Sequence, residues 1–468
     1  MKVACTLLVI GLTLASTSFA RAQCPTSDDI AIENAISAAV AAGGGTVQLE
    51  AQNYDICQPV VLASNVHLRG RGIGATVLQT RPGWPTGPLE SFGASIIGSG
   101  VANVSVVGLT LDHRTHGRMA NGIAFVPANA DFSGMVSRNI LIERNQVLGV
   151  PVDGGHQYLI WNMRGQNVKI VHNWVDGGFM SQPSAAFQEG IESFGGYDVL
   201  VEGNTVQGIG GACLNFGSAM GIPDTYTAGL FVRNNYAFLC NVGIHLGSGD
   251  ESQQTAYAIV SGNVVVYAWK AGISVLAGPG TSLRDLQISG NTIRAVGVPG
   301  ASSIADGILL SGESGAKPIT TVVDGNQIDL VMGASFGIRL EFYSGVRILN
   351  NSILKTGREG IYAYSANDVE VRGNRIQGAG LRGIYTGPSA QAQIVSDNLI
   401  IDWGSGSDGI RLDGVGYGVV RNNIFRRTDA AKPHAVVLGP GTCGVASGGN
   451  VAMYAGSVNN AASPSCSW

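Results

Sequence analysis

The chain has 468 residues, of which 45% are hydrophobic and 13% are charged, and its formal net charge is −4. Phosphate binding needs clustered Lys and Arg, and the sequence has no such block, so a nucleic-acid partner is not expected. The 68 glycines occur alongside many β-branched residues, which favours a packed β structure over disorder.

The first residues have the pattern of an export signal. Lys2 precedes an apolar run from Val3 to Ala15, and Ala20-Arg21-Ala22 fits a small-x-small cleavage site. We therefore predict a signal peptide over residues 1–22 and a secreted or periplasmic mature protein. The apolar run is too short to span a bilayer and no later stretch is long enough, so no transmembrane segment is expected.

Six cysteines remain after this signal, and an even number in an exported protein predicts structural disulfides. No Cys-x-x-Cys pair supports a zinc or redox site. The simplest pairing joins neighbours in sequence, although six cysteines allow other connectivities. These neighbouring pairs are Cys24–Cys57, Cys213–Cys240 and Cys443–Cys466.

An internal repeat argues for one domain in spite of the length. Segments such as NILIERNQV at 139, DVLVEGNTV at 198 and DLQISGNTI at 285 share one Asn in the same frame. Successive Asn residues lie between 23 and 35 residues apart. The series is Asn145, Asn173, Asn204, Asn235, Asn263, Asn291, Asn326, Asn351, Asn374, Asn398 and Asn423.

A second signal, Gly-Ile followed by alternating residues, recurs about half a repeat later, as in GIESF at 190, GIHLG at 243 and GILLS at 307. Each unit therefore reads as strand, Asn turn, short strand, Gly turn and strand. Such units bury their apolar faces only when stacked, which predicts an all-β parallel β-helix solenoid. The alternation excludes helical repeat arrays, and a β-propeller is the weaker alternative. The Asn is expected to tolerate a left-handed turn and to bond to the equivalent Asn one coil away.

A short capping helix is predicted ahead of the coils. Ser27 or Asp28 would cap its start, and Gly43 to Gly45 would end it. The apolar residues at helical spacing are Ile32, Ile36 and Val40. We predict an N-terminal cap over 23–64, the β-helix over 65–440 and a C-terminal cap over 441–468, because open coil ends would expose unpaired backbone.

The segment from Asp28 to Leu78 contains GGGTV-x-L, then Tyr54, then SNVHLRGRG. It resembles the amino-terminal cap of the pectate-lyase-like superfamily, whose members are right-handed parallel β-helices. That superfamily includes polysaccharide lyases, pectin hydrolases, mannuronan epimerases and phage tailspike depolymerases. The resemblance implies the fold and a carbohydrate substrate but no particular reaction. The reaction-specific motifs of polygalacturonases, mannuronan epimerases and pectate lyases are not matched, so no catalytic residue is carried over.

Geometry supplies candidate site residues instead. In a Gly-Ile-x-Leu strand the residue x points outward, and stacked coils place the x residues in one column. This column carries residue types that stack on sugar rings and hydrogen-bond to them. It is predicted to contain Trp161, Glu192, a coil near Asn215, His245, Ser274, Leu309, Arg339, Tyr362, Tyr385 and Arg411.

Two classes of chemistry remain open. Glycoside hydrolysis needs two carboxylates, and Glu192 together with Glu189, Asp153 or Asp112 would supply them. A lyase or epimerase needs a base and a neutraliser of the uronate charge. The candidate bases are His245, His156, Tyr158 and Lys270, with Arg339 as the neutraliser. The residues expected to bind substrate are Trp161, Tyr158, Asn215, Lys270, Arg339 and Tyr362.

Simpler interpretations stand beside these. Glu192 could be a solvated strand residue, His245 an ordinary surface histidine, and Trp161 a side chain packed under the loop over 176–189. The sequence assigns no definite cofactor and leaves the metal requirement open. Asp250-Glu251 is expected to be a loop charge pair, with calcium binding as the alternative. The sequence thus predicts an exported enzyme acting on glycosidic linkages of a polysaccharide, either a lyase or a hydrolase, with an epimerase as a further option. The alternative is a non-catalytic glycan-binding or cell-surface scaffold.

Overall fold

The computed structural model describes residues 28–81, 94–114, 121–129, 133–150, 156–179, 187–217, 226–248, 254–278, 282–297, 305–312, 319–331, 333, 335–388, 390–428 and 434–453. The predicted signal peptide over 1–22 lies outside these ranges. Within them, no helix is both long enough and apolar enough to cross a membrane.

Parallel strands dominate the described chain. One sheet contains the strands that precede each Asn turn, and each of them pairs in parallel with its equivalent in the next coil. These strands are Gly45–Gln48, Val66–Arg69, Ala102–Val107, Arg138–Glu143, Gln166–Val171, Gly196–Glu202, Tyr226–Arg233, Gln254–Ser261, Ser282–Ser289, Ile319–Asp324, Val346–Leu349, Val369–Arg372, Gln393–Ser396, Gly418–Arg421 and Val445–Gly448.

The second sheet is bent and has two legs. The first leg follows the Asn turn, and its strands are Asn53–Ile56, Val77–Thr80, Thr110–Asp112, Gln146–Leu148, Trp174–Asp176, Thr292–Val296, Gln327–Val331, Ser352–Thr356, Arg375–Ala379, Leu399–Ile401, Ile424–Arg426 and Val451–Ala452. The second leg follows the Gly turn, and its strands are Val60–Val61, Ala94–Ser99, Asn121–Val126, His156–Met163, Phe187–Phe194, Asp306–Gly312, Phe336–Glu341, Ile361–Tyr364, Ile384–Thr386, Ile410–Leu412 and Val436–Leu438. Three long strands, Thr205–Gly217, Tyr236–Ser248 and Val264–Ala277, run through both legs.

Stacking of these coils encloses one continuous apolar core. The inward residues of the Gly-Ile strands, such as Ile191, Leu214 and Ile244, have no exposed surface. Strand pairing in register from coil to coil therefore confirms the predicted single-domain right-handed parallel β-helix solenoid.

The capping helix is Asp28–Ala41, as predicted to within a residue at its end. Ile32 and Ile36 are buried against the first coil, but Val40, expected on the same apolar face, is 46% exposed. Val40 lies in the last turn of the helix, next to the chain reversal at Gly43 to Gly45. Those glycines all have positive φ, which ends the helix where expected.

The recurrent Asn residues form a buried ladder. Each amide nitrogen donates to the side-chain oxygen of the Asn one coil further on, at 2.9–3.1 Å. The same oxygen accepts the backbone N–H of the preceding Asn, as Asn326 does for Asn291 at 3.0 Å. The predicted bonding from coil to coil is confirmed, and Asn450 extends the ladder by one coil that the repeat pattern missed.

The left-handed turn is placed one residue earlier than expected. The residue before the ladder Asn has positive φ, for example Arg144, Asn234 and Asn350 at 52–56° and Gly290 at 62°. This position is occupied by Gly, Asn or Asp in most coils because these residues adopt the left-handed region at little cost. The ladder Asn itself was therefore wrongly assigned that conformation.

The glycine of the Gly-Ile signal permits close approach of neighbouring coils. A Cβ atom at Gly337 would clash with the carbonyl oxygen of Gly360, and Gly307 lies in the same relation to Gly337. At this position the backbones of neighbouring coils are too close to admit a Cβ atom, which explains why glycine recurs there.

The ends of the solenoid extend beyond the predicted boundaries. Gly45–Gln48 pairs with Val66–Arg69, although residues 23–64 were assigned to the cap. Val445–Gly448 and Val451–Ala452 likewise pair with the preceding coil inside the predicted C-terminal cap over 441–468. Asn450 continues the ladder there, so this coil closes in the same way as the others.

One disulfide is described in full and joins Cys213 to Cys240, with 5.7 Å between their Cα atoms. It links two adjacent coils, as the pairing of sequence neighbours predicts. Cys57 and Cys443 are also disulfide-bonded. Their predicted partners, Cys24 and Cys466, lie outside the described residues.

The buried ladder should be a measurable source of stability. Asn291→Ala removes the bonds to Asn263 and Asn326 and leaves buried partners unsatisfied, so we expect a loss of about 2–4 kcal/mol in the free energy of unfolding, measured by urea denaturation. The control is Asn103→Gly. The exposed side chain of Asn103 donates to Asn65 and accepts from Asn139, and glycine can keep the positive φ of this position. This variant should lose under about 1 kcal/mol in the free energy of unfolding. Equal losses in the two variants would contradict the role of the buried ladder.

Candidate active site

The outward column has the predicted register. Trp161 pairs with Glu192, Glu192 with Asn215, and Asn215 with His245 in consecutive coils. The column then continues through Ser274, Leu309, Arg339, Tyr362, Tyr385 and Arg411. The repeat therefore places four of the predicted site residues side by side, about 4.8 Å apart along the axis.

Glu192 is buried although it points away from the core, with 1% of its surface exposed. The amide nitrogen of Asn215 donates to its Oε2 at 3.1 Å. Its Oε1 is buried without a hydrogen-bond partner among the described residues. These contacts rule out the interpretation of Glu192 as a solvated strand residue.

Glu189 lies on the same strand, directly before the Gly-Ile signal. It is half-buried, and its Oε2 accepts the backbone N–H of Ala212 at 2.6 Å. Gly211 leaves the space for this carboxyl, since a Cβ atom there would lie 2.5 Å from Oε1. Burial raises the pKa of Glu189 to about 8, although the bond from Ala212 acts to lower it.

The two carboxyls influence each other. Burial raises the pKa of Glu192 well above its usual range, and the charge of Glu189 raises it further, whereas the bond from Asn215 opposes both. Two adjacent buried carboxyls do not ionise together readily. The charge of Glu189 acts on Glu192, so ionisation of Glu189 makes Glu192 hold its proton more tightly.

Two aromatic residues lie beside this pair. Tyr158 pairs with Glu189 in the next coil, and its ring stacks on Trp161 with 5.0 Å between centroids. Burial and then the charges of Glu192 and Glu189 raise the pKa of Tyr158. Trp161 is only 2% exposed, packed in a small cluster with Ala124 and Met163. This burial agrees with the alternative in which Trp161 is a packed side chain, and its predicted contact with substrate stays a prediction.

His245 follows Asn215 in the column and is partly exposed. Burial lowers the pKa of His245 to about 4, so the imidazole is neutral at pH 7. Lys270 is exposed and immediately precedes Ala271. Ala271 pairs with Val242, so Lys270 lies on the coil next to the one that carries His245. Lys270 is thus near the far end of the site and remains a predicted substrate contact.

Asp112, another candidate acid, is not part of this group. Asp112 lies on the first leg of the bent sheet, where Arg114 binds it at 2.7 Å. Burial acts to raise the pKa of Asp112, but hydrogen bonds and charge from Arg114 lower it overall. Asp153 and the Asp250-Glu251 pair lie outside the described residues, as does the side chain of His156, whose backbone pairs with Phe187. No cluster of metal-binding side chains occurs in the part of the chain that the structure describes.

Arg339 and Tyr362 lie three and four coils beyond His245. Arg339 binds Asp306 at 3.0 Å. These two predicted substrate contacts therefore belong to a different part of the column from Glu192.

The interior beneath the carboxyl pair is unusually polar. Gln188 donates to the side-chain oxygen of Gln157 at 2.6 Å, and Asn162 donates to Ser193 at 2.8 Å. The equivalent inward positions in the following coils, such as Phe216 and Leu246, are apolar. These buried amides were missed because alternation alone assigns inward positions to an apolar core.

A further set of residues was missed for a different reason. The residue immediately before Gly-Ile lies on the same outer face as x, as the ion pair between Asp306 and the x residue Arg339 shows. A charged residue followed by Gly-Ile would have identified them. Glu189 occupies this position and was predicted; the members of the set that were missed are Asp306, Glu359, Arg382 and Asp408.

Comparison with known proteins places these coils in context. The family model described as right handed beta helix region matches residues 230–424. The chain is 40% identical over 92 residues to mannuronan C5-epimerase AlgE1 of Azotobacter vinelandii, which is 18% of this chain and 6% of that protein. It is 34% identical over 167 residues to AlgE6 of the same organism, which is 32% of this chain and 18% of that protein.

Solved structures with low sequence identity to this chain were also found. The A-module of AlgE6 has a TM-score of 0.38 and 18% identity, over 92% of this chain and 96% of the module. An alpha-1,3-glucanase from Streptomyces thermodiastaticus has a TM-score of 0.44 and 15% identity, over 91% of this chain and 66% of the enzyme. The matched stretches of AlgE1 and AlgE6 cover less than a fifth of either protein. The strand pairing of the described coils and the match over residues 230–424 together show that the fold of this chain is a right-handed parallel β-helix.

Proposed function

We propose that this protein is an exported glycoside hydrolase that cleaves a polysaccharide in the groove above Glu192. The observation that carries the proposal is the pair of adjacent carboxyls, Glu189 and Glu192, both with raised pKa. A pair of carboxyl groups in two protonation states is the usual requirement for glycoside hydrolysis. The mannuronan epimerase and glucanase names of the similar proteins support a polysaccharide as substrate.

The two carboxyls would have different tasks. Glu192, buried and the last to ionise, would donate its proton to the leaving-group oxygen as general acid. Glu189, held by the N–H of Ala212, would act as the ionised partner, either as base for a water or as nucleophile. Asn215 would orient Glu192 through its bond to Oε2, which leaves Oε1 as the oxygen that carries the proton.

Epimerisation or β-elimination of a uronic acid is the second candidate, favoured by the identity to mannuronan C5-epimerases. Both reactions need a base and a cation that neutralises the uronate. His245 is neutral and suits the base, but the nearest predicted arginine, Arg339, lies three coils further on. Among the described residues of the outward columns, the carboxyl pair therefore fits hydrolysis better.

A polysaccharide panel separates these functions. The mature protein is assayed on neutral and acidic polymers for new reducing ends and for the absorbance of an unsaturated uronate. Hydrolysis predicts reducing ends without that absorbance. Absorbance would indicate a lyase, a changed uronate composition without cleavage would indicate an epimerase, and binding without any reaction would indicate a scaffold.

Substitution of the proposed acid gives the first quantitative prediction. Glu192→Gln should lower kcat by about 10²–10⁴-fold, because general acid catalysis contributes that much, with little change in KM. Glu143→Gln, a glutamate on the other sheet, is the matched control and should retain full activity. Activity of Glu192→Gln within twofold of the unaltered protein would contradict the proposal.

The pH dependence follows from the same carboxyls. Below its pKa of about 8, Glu189 is protonated and cannot act as base, so activity should rise as pH increases toward 8. Activity should fall again at higher pH, where Glu192 loses its proton. A profile of kcat/KM against pH checks both limbs, and an optimum near pH 5 would argue against this assignment.

Stability should report the raised pKa without any substrate. In the unfolded chain a Glu ionises near 4.5, whereas folded Glu189 keeps its proton up to about pH 8. The unfolded state therefore loses protons first, and the free energy of unfolding falls as pH rises between these values. Glu189→Gln should raise Tm relative to the unaltered protein by about 2–4 °C more at pH 8 than at pH 5. His245 and Asp306 titrate in both proteins, so a pH-independent difference in Tm would show that Glu189 is not perturbed.

A further inference from the structure

A second group of side chains lies on the outer face of the later coils. We call it the distal cluster and define it as Asp306, Arg339, Glu359, Tyr362, Arg382 and Tyr385. Ser274 and Leu309 separate it from the Glu192 coils in the outward column. Five coil steps lie between Glu192 and Arg339, about 24 Å along the axis at the usual strand spacing.

Buried polar atoms in the distal cluster lack partners. Asp306 is 2% exposed, and its Oδ1 has no hydrogen bond among the described residues. The Nε atoms of Arg339 and Arg382 are also buried without a hydrogen-bond partner among the described residues. Buried polar atoms without partners are uncommon in native proteins, and a functional role is one explanation for them. Burial raises the pKa of Asp306 to about 7, although the adjacent Arg339 acts to lower it.

Flat apolar faces accompany these atoms. The rings of Tyr362 and Tyr385 stack with 5.4 Å between centroids, and both side chains are half-buried. The guanidinium of Arg382 lies 4.8 Å from the centroid of the Tyr385 ring. A sugar ring has apolar C–H surfaces and hydroxyl groups. Tyrosine rings beside polar side chains can contact both kinds of surface.

The charges of the distal cluster are compensated internally. Arg339 binds Asp306 at 3.0 Å, Arg382 binds Glu359 at 2.9 Å, and Arg411 at its edge binds Asp413 at 2.9 Å. An anionic ligand would have to displace these carboxylates to reach a guanidinium. An uncharged ligand with many hydroxyls can bond to both members of each ion pair instead.

We propose that the distal cluster is a second glycan-binding site, selective for an uncharged, hydroxyl-rich polysaccharide. This inference rests on the proposed function only in taking a polysaccharide as the ligand, and it specifies that ligand as neutral. A polymer chain lying along the solenoid axis would contact the distal cluster and the Glu192 coils at once. Binding at the distal cluster would thereby hold a long substrate across Glu189 and Glu192 without touching the bond that breaks.

Affinity gel electrophoresis of the mature protein tests this site. The probes are galactomannan and hydroxyethyl cellulose as neutral polymers, and alginate and polygalacturonate as acidic ones. We expect retardation by a neutral polymer, and about a tenfold increase in Kd for the double change Tyr362→Ala and Tyr385→Ala. Tyr236→Ala is the matched control, an exposed stacked tyrosine on the other leg, and should bind as the unaltered protein does.

Packing loss is separated from loss of the ring by conservative variants. Tyr385→Phe should retain binding, whereas Tyr385→Leu, which keeps apolar volume, should weaken it. Preferred binding of alginate or polygalacturonate, or equal effects of the double change and Tyr236→Ala, would overturn the inference.

Failure of this inference and failure of the proposed function give different results. In the first case, the unaltered protein cleaves no polymer, but Glu192→Gln still binds a neutral polymer through Tyr362 and Tyr385. This result would contradict the hydrolase proposal and support the distal site. If a polymer is cleaved but its binding does not depend on Tyr362 and Tyr385, the hydrolase proposal stands and the distal site falls.

Discussion

The structure depends on one constraint, the stacking of every coil on the next in the same register. The Asn ladder maintains this register, because each amide saturates its hydrogen-bonding capacity with the coils on either side. The glycines before the Gly-Ile strands permit backbone contact at a second corner. Since both corners repeat, loops of different length can leave the coil without altering its cross-section, and outward residues from distant parts of the sequence become neighbours.

The candidate site uses this regularity to keep an electrostatically unfavourable arrangement in place. Burying Glu192 beside Glu189 costs free energy. This cost is lower when one of the two carboxyls is protonated and therefore uncharged. The rigid strand Phe187–Phe194 fixes both side chains, with Ala212 and Asn215 of the next coil as hydrogen-bond donors. The polar amides beneath them, Gln188 and Asn162, interrupt the apolar core in this region. Stability given up at one place in a regular scaffold is typical of functional sites.

Much of this fold could be predicted from the sequence, because a solenoid converts sequence spacing into spatial position. The frame of the Asn repeat is enough to align Trp161, Glu192, Asn215 and His245. Burial could not be predicted in the same way: alternation gives the direction of Trp161 but not the neighbouring cluster that covers it. Asp306 and Glu359 each precede the glycine of a Gly-Ile signal and form ion pairs on the outer face. An idealised alternating strand would direct these two side chains inward, so alternation alone could not predict their position. The roles assigned to Glu189, Glu192 and His245 remain predictions from geometry and charge.

The most direct test of the account is a carbon NMR titration of the mature protein labelled at the glutamate side-chain carboxyl carbons, with Glu189→Gln and Glu192→Gln used for assignment. The account predicts that the Glu189 signal titrates near pH 8 and that the Glu192 signal titrates at higher pH. It also predicts that Glu189→Gln lowers the pKa of Glu192, because one neighbouring charge has been removed. Titration of both signals near pH 4–5, as for ordinary glutamates, would contradict the account.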